Sequence, residues 1–89
     1  GLLVSVCDAE CLGETYAEGE VSLEVTEAFY GGDDATEVDA DGVVDSLARA
    51  SVANIVGERV VSVAVDAGIV DEATVLSVDG TLHAQLVRM

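Results

Sequence analysis

Two cysteines and one histidine are the residues of this chain best suited to nucleophilic or metal chemistry. Cys7 and Cys11 lie four positions apart, and His83 is the single histidine. A thiol beside an imidazole is the pair that covalent catalysis by cysteine uses, and Asn54 or Gln85 could orient the imidazole. That pair would form only if the first and last strands of the fold were neighbours.

Zinc is the alternative chemistry of the same residues, with Asp8 as a fourth ligand. A structural zinc usually takes four nitrogen or sulfur ligands, supplied by pairs of closely spaced cysteines and histidines. This chain offers one C-x3-C pair and one histidine. Cys7 ends an apolar segment, in which an inert buried thiol is the common outcome. We therefore predict no catalytic residue, no metal site and no cofactor, and keep an enzyme or metal site that uses Cys7 and His83 as an alternative.

A second group of polar residues is better suited to recognition than to catalysis. Asn54 and Glu58 lie four residues apart in a stretch that reads as a helix, so they are expected to face the same way, and Arg59 follows them. On the last predicted strand, His83 and Gln85 share one face because side chains alternate along a strand. These side chains would together form a hydrogen-bonding surface.

The segment Phe29-Tyr30-Gly31-Gly32 joins two aromatic residues to two glycines. It fits either a turn in which Phe29 closes the core, or a contact loop with Tyr30 exposed. The binding surface that we predict comprises Tyr30, Gly31, Gly32, Asn54, Glu58, Arg59, His83 and Gln85. The alternative is that the polar groups satisfy local structure, since an Asn near a helix start often bonds backbone groups and Arg59 has carboxylates nearby.

Apolar periodicity predicts the strands that would carry these residues. The run 2–7 is nearly continuous in apolar residues, as a central strand would be. In the segment 21–26 apolar and polar residues alternate, which predicts a strand with one buried face. Asp79-Gly80 separates two β-rich segments, 74–78 and 81–87, and this pattern predicts a hairpin with a type I′ turn.

Ser51–Gly68 is the longest stretch that reads as one buried helix. Its apolar residues recur on one side, Ser51 is a candidate N-cap, and Gly68 is a candidate for the residue that ends the helix. Gly57 lies in the middle, where glycine costs about 1 kcal/mol relative to alanine. We expect Gly57 to mark either a close backbone approach or the junction of two helical pieces.

Two shorter helical segments complete the pattern. Asp39 or Asp41 is expected to cap a helix that ends near Ala50, and Asp8 to cap one helical turn over residues 9–12. The order is β-β-α-α-β-β, within one domain that covers residues 1–89. We therefore predict an α+β fold, in which a small, mainly antiparallel sheet of four or five strands has two helices packed on one face.

The charge balance is extreme for so small a protein. Asp and Glu number 18 against three arginines and no lysine, which gives a net charge of −15. The hydrophobic fraction of 51% is too high for a disordered acidic chain, so a folded domain with a carboxylate-covered surface is expected. Such a surface is typical of a salt-saturated cytoplasm, because at ~1 M salt the Debye length falls to about 3 Å. Direct contact with nucleic acid is disfavoured, since phosphate contacts need cations, and the general acidity of halophile proteins weakens this argument without reversing it.

The remaining features indicate a cytoplasmic protein without a membrane segment. Two cysteines make no disulfide framework in a chain of this size. The first residues lack the basic region of a signal peptide, and no apolar run approaches the ~18 residues of a membrane span. The chain begins with Gly1 rather than Met, so the natural start is expected upstream. A monomer or weak homo-oligomer is expected.

The ordered motifs of the chain resemble the DUF424 family of small archaeal proteins. The residues that carry the resemblance are Val6-Cys7-Asp8, Leu12-Gly13, Phe29-Tyr30-Gly31-Gly32, Ala53-Asn-Ile-Val-Gly-Glu-Arg59, Ala67-Gly-Ile-Val-Asp-Glu72 and His83-Ala84-Gln85. The resemblance implies an archaeal cytosolic protein and no reaction, and the charge balance adds that the organism is a halophile. We expect a non-catalytic binding module whose partner is a ribosomal or other ribonucleoprotein component. The alternatives are the Cys7 and His83 enzyme or metal site and a structural homo-oligomer.

Overall fold

A computed structural model gives the fold and describes residues 2–26, 30 and 39–88. Within these residues the chain forms strands, two α-helices and two short 3-10 turns. In order they are β1 (Leu3–Cys7), a 3-10 turn (Ala9–Cys11), β2 (Thr15–Glu18), β3 (Val21–Glu24), α1 (Ala40–Arg49), β4 (Val52–Val56), α2 (Glu58–Asp66), a 3-10 turn (Glu72–Thr74), β5 (Leu76–Val78) and β6 (Thr81–Val87).

The main sheet has four strands in the order β1-β4-β6-β5, and β2 pairs with β3 in a separate hairpin. β4 is antiparallel to β6, and β6 to β5, whereas β1 runs parallel to β4. The predicted α+β class, with four strands and two helices, is therefore confirmed. The prediction that residues 2–7 form a central strand is wrong, since β1 is at an edge of the sheet.

The prediction of one helix over Ser51–Gly68 is wrong. Val52–Val56 is the strand β4, which pairs on both sides, and α2 begins only at Glu58. Ser51 is not an N-cap, because it precedes the strand and its Oγ accepts from the backbone N–H of Leu2. Gly57, with φ of 122°, separates strand from helix. The element order has one more strand before α1 than predicted, and a strand between the helices.

Both helices pack on the same face of the main sheet. α2 contacts β4 and β6, and α1 contacts β1 and α2. One apolar cluster fills the space between helices and sheet, and its buried members are Val43, Leu47, Ala50, Ala53, Ile55, Val60, Val61, Ala64, Val70 and Ala84. All ten are Val, Leu, Ile or Ala, as a composition with few aromatic residues requires.

A second, smaller apolar cluster lies on the other face, at the end of the sheet where β1 and β4 finish. Its buried members are Cys11, Val25 and Val56. The β2–β3 hairpin covers this end and is tied to the turn between β5 and β6. The backbone N–H of Ala17 donates to Oδ2 of Asp79, and the N–H of Asp79 donates to Oε1 of Glu18, both at 3.3 Å.

Two local predictions are confirmed. Asp39 caps α1, since its Oδ1 accepts from the N–H of Gly42 at 2.9 Å. The β5–β6 hairpin turns through Asp79 and Gly80 with φ values of 49° and 86°, which are the two positive values of a type I′ turn. No helix among the described residues has the length and apolar character that crossing a membrane requires.

Candidate functional site

The face of the main sheet opposite the helices carries the most prominent set of exposed side chains. Residues paired in register on neighbouring strands point to the same side of a sheet. The register therefore forms cross-strand rows, of which two are Leu3–Val52–Val87 and Ser5–Asn54–Gln85. We call these six residues the β surface.

The polar row of the β surface contains two of the predicted site residues. Nε2 of Gln85 donates to Oδ1 of Asn54 at 3.1 Å. This bond orients both amides and leaves the N–H groups of the Asn54 amide and Oε1 of Gln85 unbonded among the described residues. Ser5 adds a hydroxyl at the end of the row. The row can thus donate and accept hydrogen bonds at fixed positions without carrying charge.

The apolar row of the β surface is exposed to an unusual degree. Leu3, Val52 and Val87 expose 56%, 38% and 64% of their surface. Isolated exposed apolar residues are common, but a contiguous row is typical of an interaction site. Adjacent apolar and hydrogen-bonding rows on one flat sheet are well suited to contact with a protein.

The next row of this face, Cys7–Val56–His83, lies under the second cluster. Strand β4 separates Cys7 from His83, so their Cα atoms lie two strand spacings apart, about 10 Å. The first and last strands are thus not neighbours, which was the condition for a Cys7–His83 pair.

The bonding of the His83 ring and the pKa of the Cys7 thiol also differ from those of a catalytic pair. Nδ1 of His83 lies 3.1 Å from the carbonyl oxygen of Ile55, and it carries the ring proton there because a carbonyl only accepts. Burial, followed by the nearby Cys11 and Asp8, raises the pKa of Cys7, which disfavours the nucleophilic thiolate.

Tyr30 is half-buried against the second cluster, beside Cys7 and Val56. Its side chain is thus only partly exposed, and a contact between Tyr30 and a partner stays a prediction. Burial, and then the charge of Cys7, raises the pKa of Tyr30, so its phenol stays protonated well above neutral pH. Phe29, Gly31 and Gly32 lie outside the described residues.

Glu58 and Arg59 lie apart from the β surface, at the start of α2. The prediction that Asn54 and Glu58 share a helix face is wrong, because Asn54 is in β4. The backbone N–H of Arg59 donates to Oδ2 of Asp8 at 2.9 Å, and that of Val60 donates to Oδ1 at 3.0 Å. Asp8 therefore caps α2 from the end of β1. In the short turn that Asp8 was expected to cap, its side chain accepts no capping bond.

A shallow cleft of about 390 Å³ lies beside this cap. It is lined by Asp8, Glu10, Cys11, Tyr16, Glu58, Arg59, Asp79, Gly80 and Thr81. Sγ of Cys11 lies 3.9 Å from Oγ1 of Thr81, and both residues are buried. The Cys11 side chain, as hydrogen-bond partner, raises the pKa of Tyr16 to about 12, and burial adds to this effect.

Two of the three arginines are engaged in structure. Nη1 of Arg88 donates to the carbonyl oxygens of Leu47, Ala48 and Ala50, so it caps the end of α1. Arg49 pairs with Asp45 within α1. Across 2–26, 30 and 39–88 the Arg59 side chain forms no ion pair, and no three His, Cys, Asp or Glu side chains are grouped as a metal site would require.

The structure thus divides the predicted site into three parts. Asn54 and Gln85 meet on the β surface. His83 lies in the row under the second cluster, and Tyr30 packs against that cluster. Glu58 and Arg59 begin α2. Sequence reasoning missed Leu3, Ser5, Val52 and Val87, which an assignment of 52–56 as a strand would have revealed. It also missed the reach of Asp8 to α2, which local sequence does not indicate.

Comparison with known proteins gives a family and a similar solved structure, and it names no ligand. A model of the family described as "Protein of unknown function (DUF424)" matches residues 1–89. The crystal structure of an uncharacterized conserved protein from Methanopyrus kandleri is similar, with a TM-score of 0.71 and 25% sequence identity. The match covers 100% of this chain and 87% of that chain. No curated protein matches the chain.

Proposed function

The chain belongs to the DUF424 family, and we propose that it is a non-catalytic, cytoplasmic binding module that recognises a basic protein through the β surface. The observation that carries the proposal is the adjacency of two exposed rows on one sheet face. Leu3, Val52 and Val87 offer apolar area, and the Asn54–Gln85 pair offers fixed hydrogen-bonding groups beside it. Protein interfaces combine an apolar centre with a hydrogen-bonding rim in this way.

Charge favours a basic protein over a nucleic acid as the partner. The net charge is −15, and two of the three arginines are engaged in α1 or at its end. At ~1 M salt only charges in direct contact act on one another, because the Debye length is about 3 Å. Within such a contact a nucleic acid would meet carboxylates with few cations to offset them, whereas the cationic side chains of a basic protein would be attracted. Proteins that contact RNA in ribosomes and other ribonucleoproteins carry cationic side chains there, because phosphate contacts need cations. A protein of such an assembly is therefore the partner that we propose.

The alternative enzyme has less support. A thiol nucleophile needs an accessible thiolate beside a base. Here β4 lies between Cys7 and His83, and burial raises the pKa of the Cys7 thiol. Both observations favour an inert cysteine.

Affinity purification of the tagged chain in native salt, with and without ribonuclease, tests the proposal. We expect basic ribosomal or ribonucleoprotein subunits to co-purify, and to remain bound after the RNA is digested. The double variant Asn54→Ala with Gln85→Ala should lose this capture. The matched control is Ser62→Ala with Ser22→Ala, which removes exposed hydroxyls away from the β surface and should retain it.

Two outcomes would contradict the proposal. Capture that disappears with ribonuclease would mean that RNA is the bound partner. Equal capture by the Asn54→Ala and Gln85→Ala double variant and by the unaltered chain would remove the β surface as the site.

A further inference from the structure

The outer edge of β1 presents backbone groups that pair with none of the residues the structure describes. The N–H of Val52 donates to the carbonyl of Leu2, and the N–H of Asp8 donates to the carbonyl of Val56. In a parallel pair, alternate residues bond to the same neighbour. The even-numbered residues of β1 therefore bond to β4, and the N–H and C=O groups of Leu3, Ser5 and Cys7 point to the open edge. No described residue bonds to them there.

This edge lacks the features that usually block strand addition. Natural proteins protect edge strands with lysine, proline, inward-pointing charges or bulges. Residues 3–7 are Leu-Val-Ser-Val-Cys, without charge or proline, and their register with β4 is regular. A second strand could thus pair along the whole length of β1.

The edge is continuous with the β surface. Leu3 and Ser5 are the end members of its apolar and polar rows. A strand added to β1 would extend both rows by one residue, and its own side chains would lie next to Leu3 and Ser5. Backbone pairing and side-chain contact would then act on the same segment of the partner.

Charge indicates what kind of strand fits this edge. A second copy of the chain would bring another net charge of −15, which opposes pairing. An extended segment with basic residues would be attracted by the same charge.

From this geometry we propose that the edge of β1 binds an extended, basic segment of the protein partner as a fifth strand of the main sheet. The inference rests on the proposed function, because it specifies how the partner of the β surface is held.

The probe is a short synthetic peptide in which valine and lysine alternate. Amide hydrogen exchange of the chain is measured with and without it. We expect the amides of Leu3, Ser5 and Cys7 to exchange quickly in the free chain and to become protected with the peptide. The amides of Val4 and Val6, which already bond to β4, should stay protected in both. A peptide of alternating valine and glutamate should give no protection.

Two changes each remove backbone N–H groups that the pairing needs, one in the peptide and the other in β1. A valine–lysine peptide with N-methyl groups on alternate residues cannot donate along one edge, and we expect it to bind at least about tenfold more weakly. Ser5→Pro removes the outward N–H and leaves the bonds between β1 and β4, so we expect a similar loss. Ser5→Val loses the same hydroxyl but keeps that N–H, so only the loss of Ser5→Pro beyond that of Ser5→Val is due to the N–H. If Ser5→Pro does not fold, the comparison of the methylated with the unmethylated peptide still tests the inference.

Three outcomes would overturn the inference. One is binding of the peptide without protection of Leu3, Ser5 and Cys7. Another is equal binding of the methylated peptide. The third is protection of these amides in the free chain that increases with its concentration, which would identify a second copy as the occupant. If Ser5→Pro captures partners normally while Asn54→Ala with Gln85→Ala does not, the β surface stands and only the edge is excluded.

Discussion

Asp8 occupies the space that a side chain at position 57 would fill. A Cβ placed on Gly57 would lie 2.5 Å from both Cγ and Oδ2 of Asp8. The absence of a side chain lets the carboxylate reach the first N–H groups of α2, at 2.9 and 3.0 Å. Through this contact the end of β1 fixes the start of α2, where the β4 strand turns into the helix.

Replacing Asp8 is expected to destabilise the fold more than replacing an ordinary helix cap. Asp8 is only 6% exposed, so Asp8→Ala would leave the N–H groups of Arg59 and Val60 without their partner. Each such loss costs about 1–3 kcal/mol, and we expect the free energy of unfolding to fall by about 2–4 kcal/mol. The measurement is urea denaturation followed by circular dichroism.

The control for this prediction is Asp39→Ala, which removes the exposed cap of α1. An exposed cap contributes typically about 1 kcal/mol. If Asp8→Ala and Asp39→Ala lowered the free energy of unfolding equally, the buried cap would contribute no more than the exposed one, contrary to this prediction.

Gly57→Ala is expected to be among the most destabilising glycine substitutions. It would place a Cβ at φ of 122°, a conformation that L-residues rarely adopt, and press it against Asp8. We expect a loss of about 3 kcal/mol or more in the free energy of unfolding. Gly68→Ala is the matched control, since Gly68 has a positive φ of 73° but open space, and should cost about 1 kcal/mol.

A double-mutant cycle separates the two causes of the loss in Gly57→Ala, which are the clash with Asp8 and the backbone strain at position 57. Asp8→Gly removes the atoms that the new Cβ would meet. The combined Asp8→Gly and Gly57→Ala variant should therefore lose less stability than the sum of the two single variants, by about 1 kcal/mol or more. Strict additivity would show that the two positions do not interact.

Stability is expected to fall at alkaline pH. The pKa of Cys7 is raised above 9.0, that of Tyr30 above 10.0, and that of Tyr16 from 10.0 to about 12. The folded state therefore holds these protons more tightly than the unfolded state. Their contribution is fully present below the unfolded pKa values and is lost as the pH rises through the folded ones. Urea denaturation at neutral pH and at several values between pH 10 and pH 12 measures this loss.

Tyr16→Phe identifies the contribution of one of these groups. This variant keeps the ring and removes the ionisable hydroxyl, so its stability should change less between pH 10 and pH 12 than that of the unaltered chain. In the unaltered chain, tyrosinate absorbance should also appear late, since both tyrosines have a raised pKa. An unchanged alkaline slope in the variant would exclude Tyr16 as a source.

Low ionic strength is expected to destabilise the chain. A net charge of −15 is spread over a protein with a radius of gyration of 12.1 Å, so many carboxylates lie near one another. At ~1 M salt the Debye length of about 3 Å screens them, and dilution restores their repulsion. The melting temperature should rise with NaCl concentration. A melting temperature independent of salt would contradict both this account and the proposed halophilic origin.

Local sequence was sufficient for the elements whose signals are short in range. The β5–β6 hairpin follows from Asp79-Gly80, because two positive φ values are needed and these residues adopt them readily. The start of α1 follows from Asp39, whose carboxylate bonds an N–H only three residues away. The family also follows from ordered motifs, and the match over residues 1–89 confirms it.

Ser51–Gly68 shows why the remaining elements could not be predicted in this way. β-branched residues favour strands only modestly, and both 52–56 and 60–65 are rich in them. What makes 52–56 the strand is pairing with β1 on one side and β6 on the other. What makes 58–66 the helix is a cap from Asp8, which is distant in sequence, together with burial of Val60, Val61 and Ala64 against the sheet.

The sequence by itself determined the composition of the core, the net negative charge, the α+β class, the Asp79–Gly80 turn and the Asp39 helix cap, because each depends on residue types or on neighbours along the chain. Only the tertiary structure decided where the polar residues meet. It placed Asn54 beside Gln85, put β4 between Cys7 and His83, and brought Asp8 to α2. These relationships depend on strand order and register, which are set by contacts between distant segments and by the free energy of the whole core.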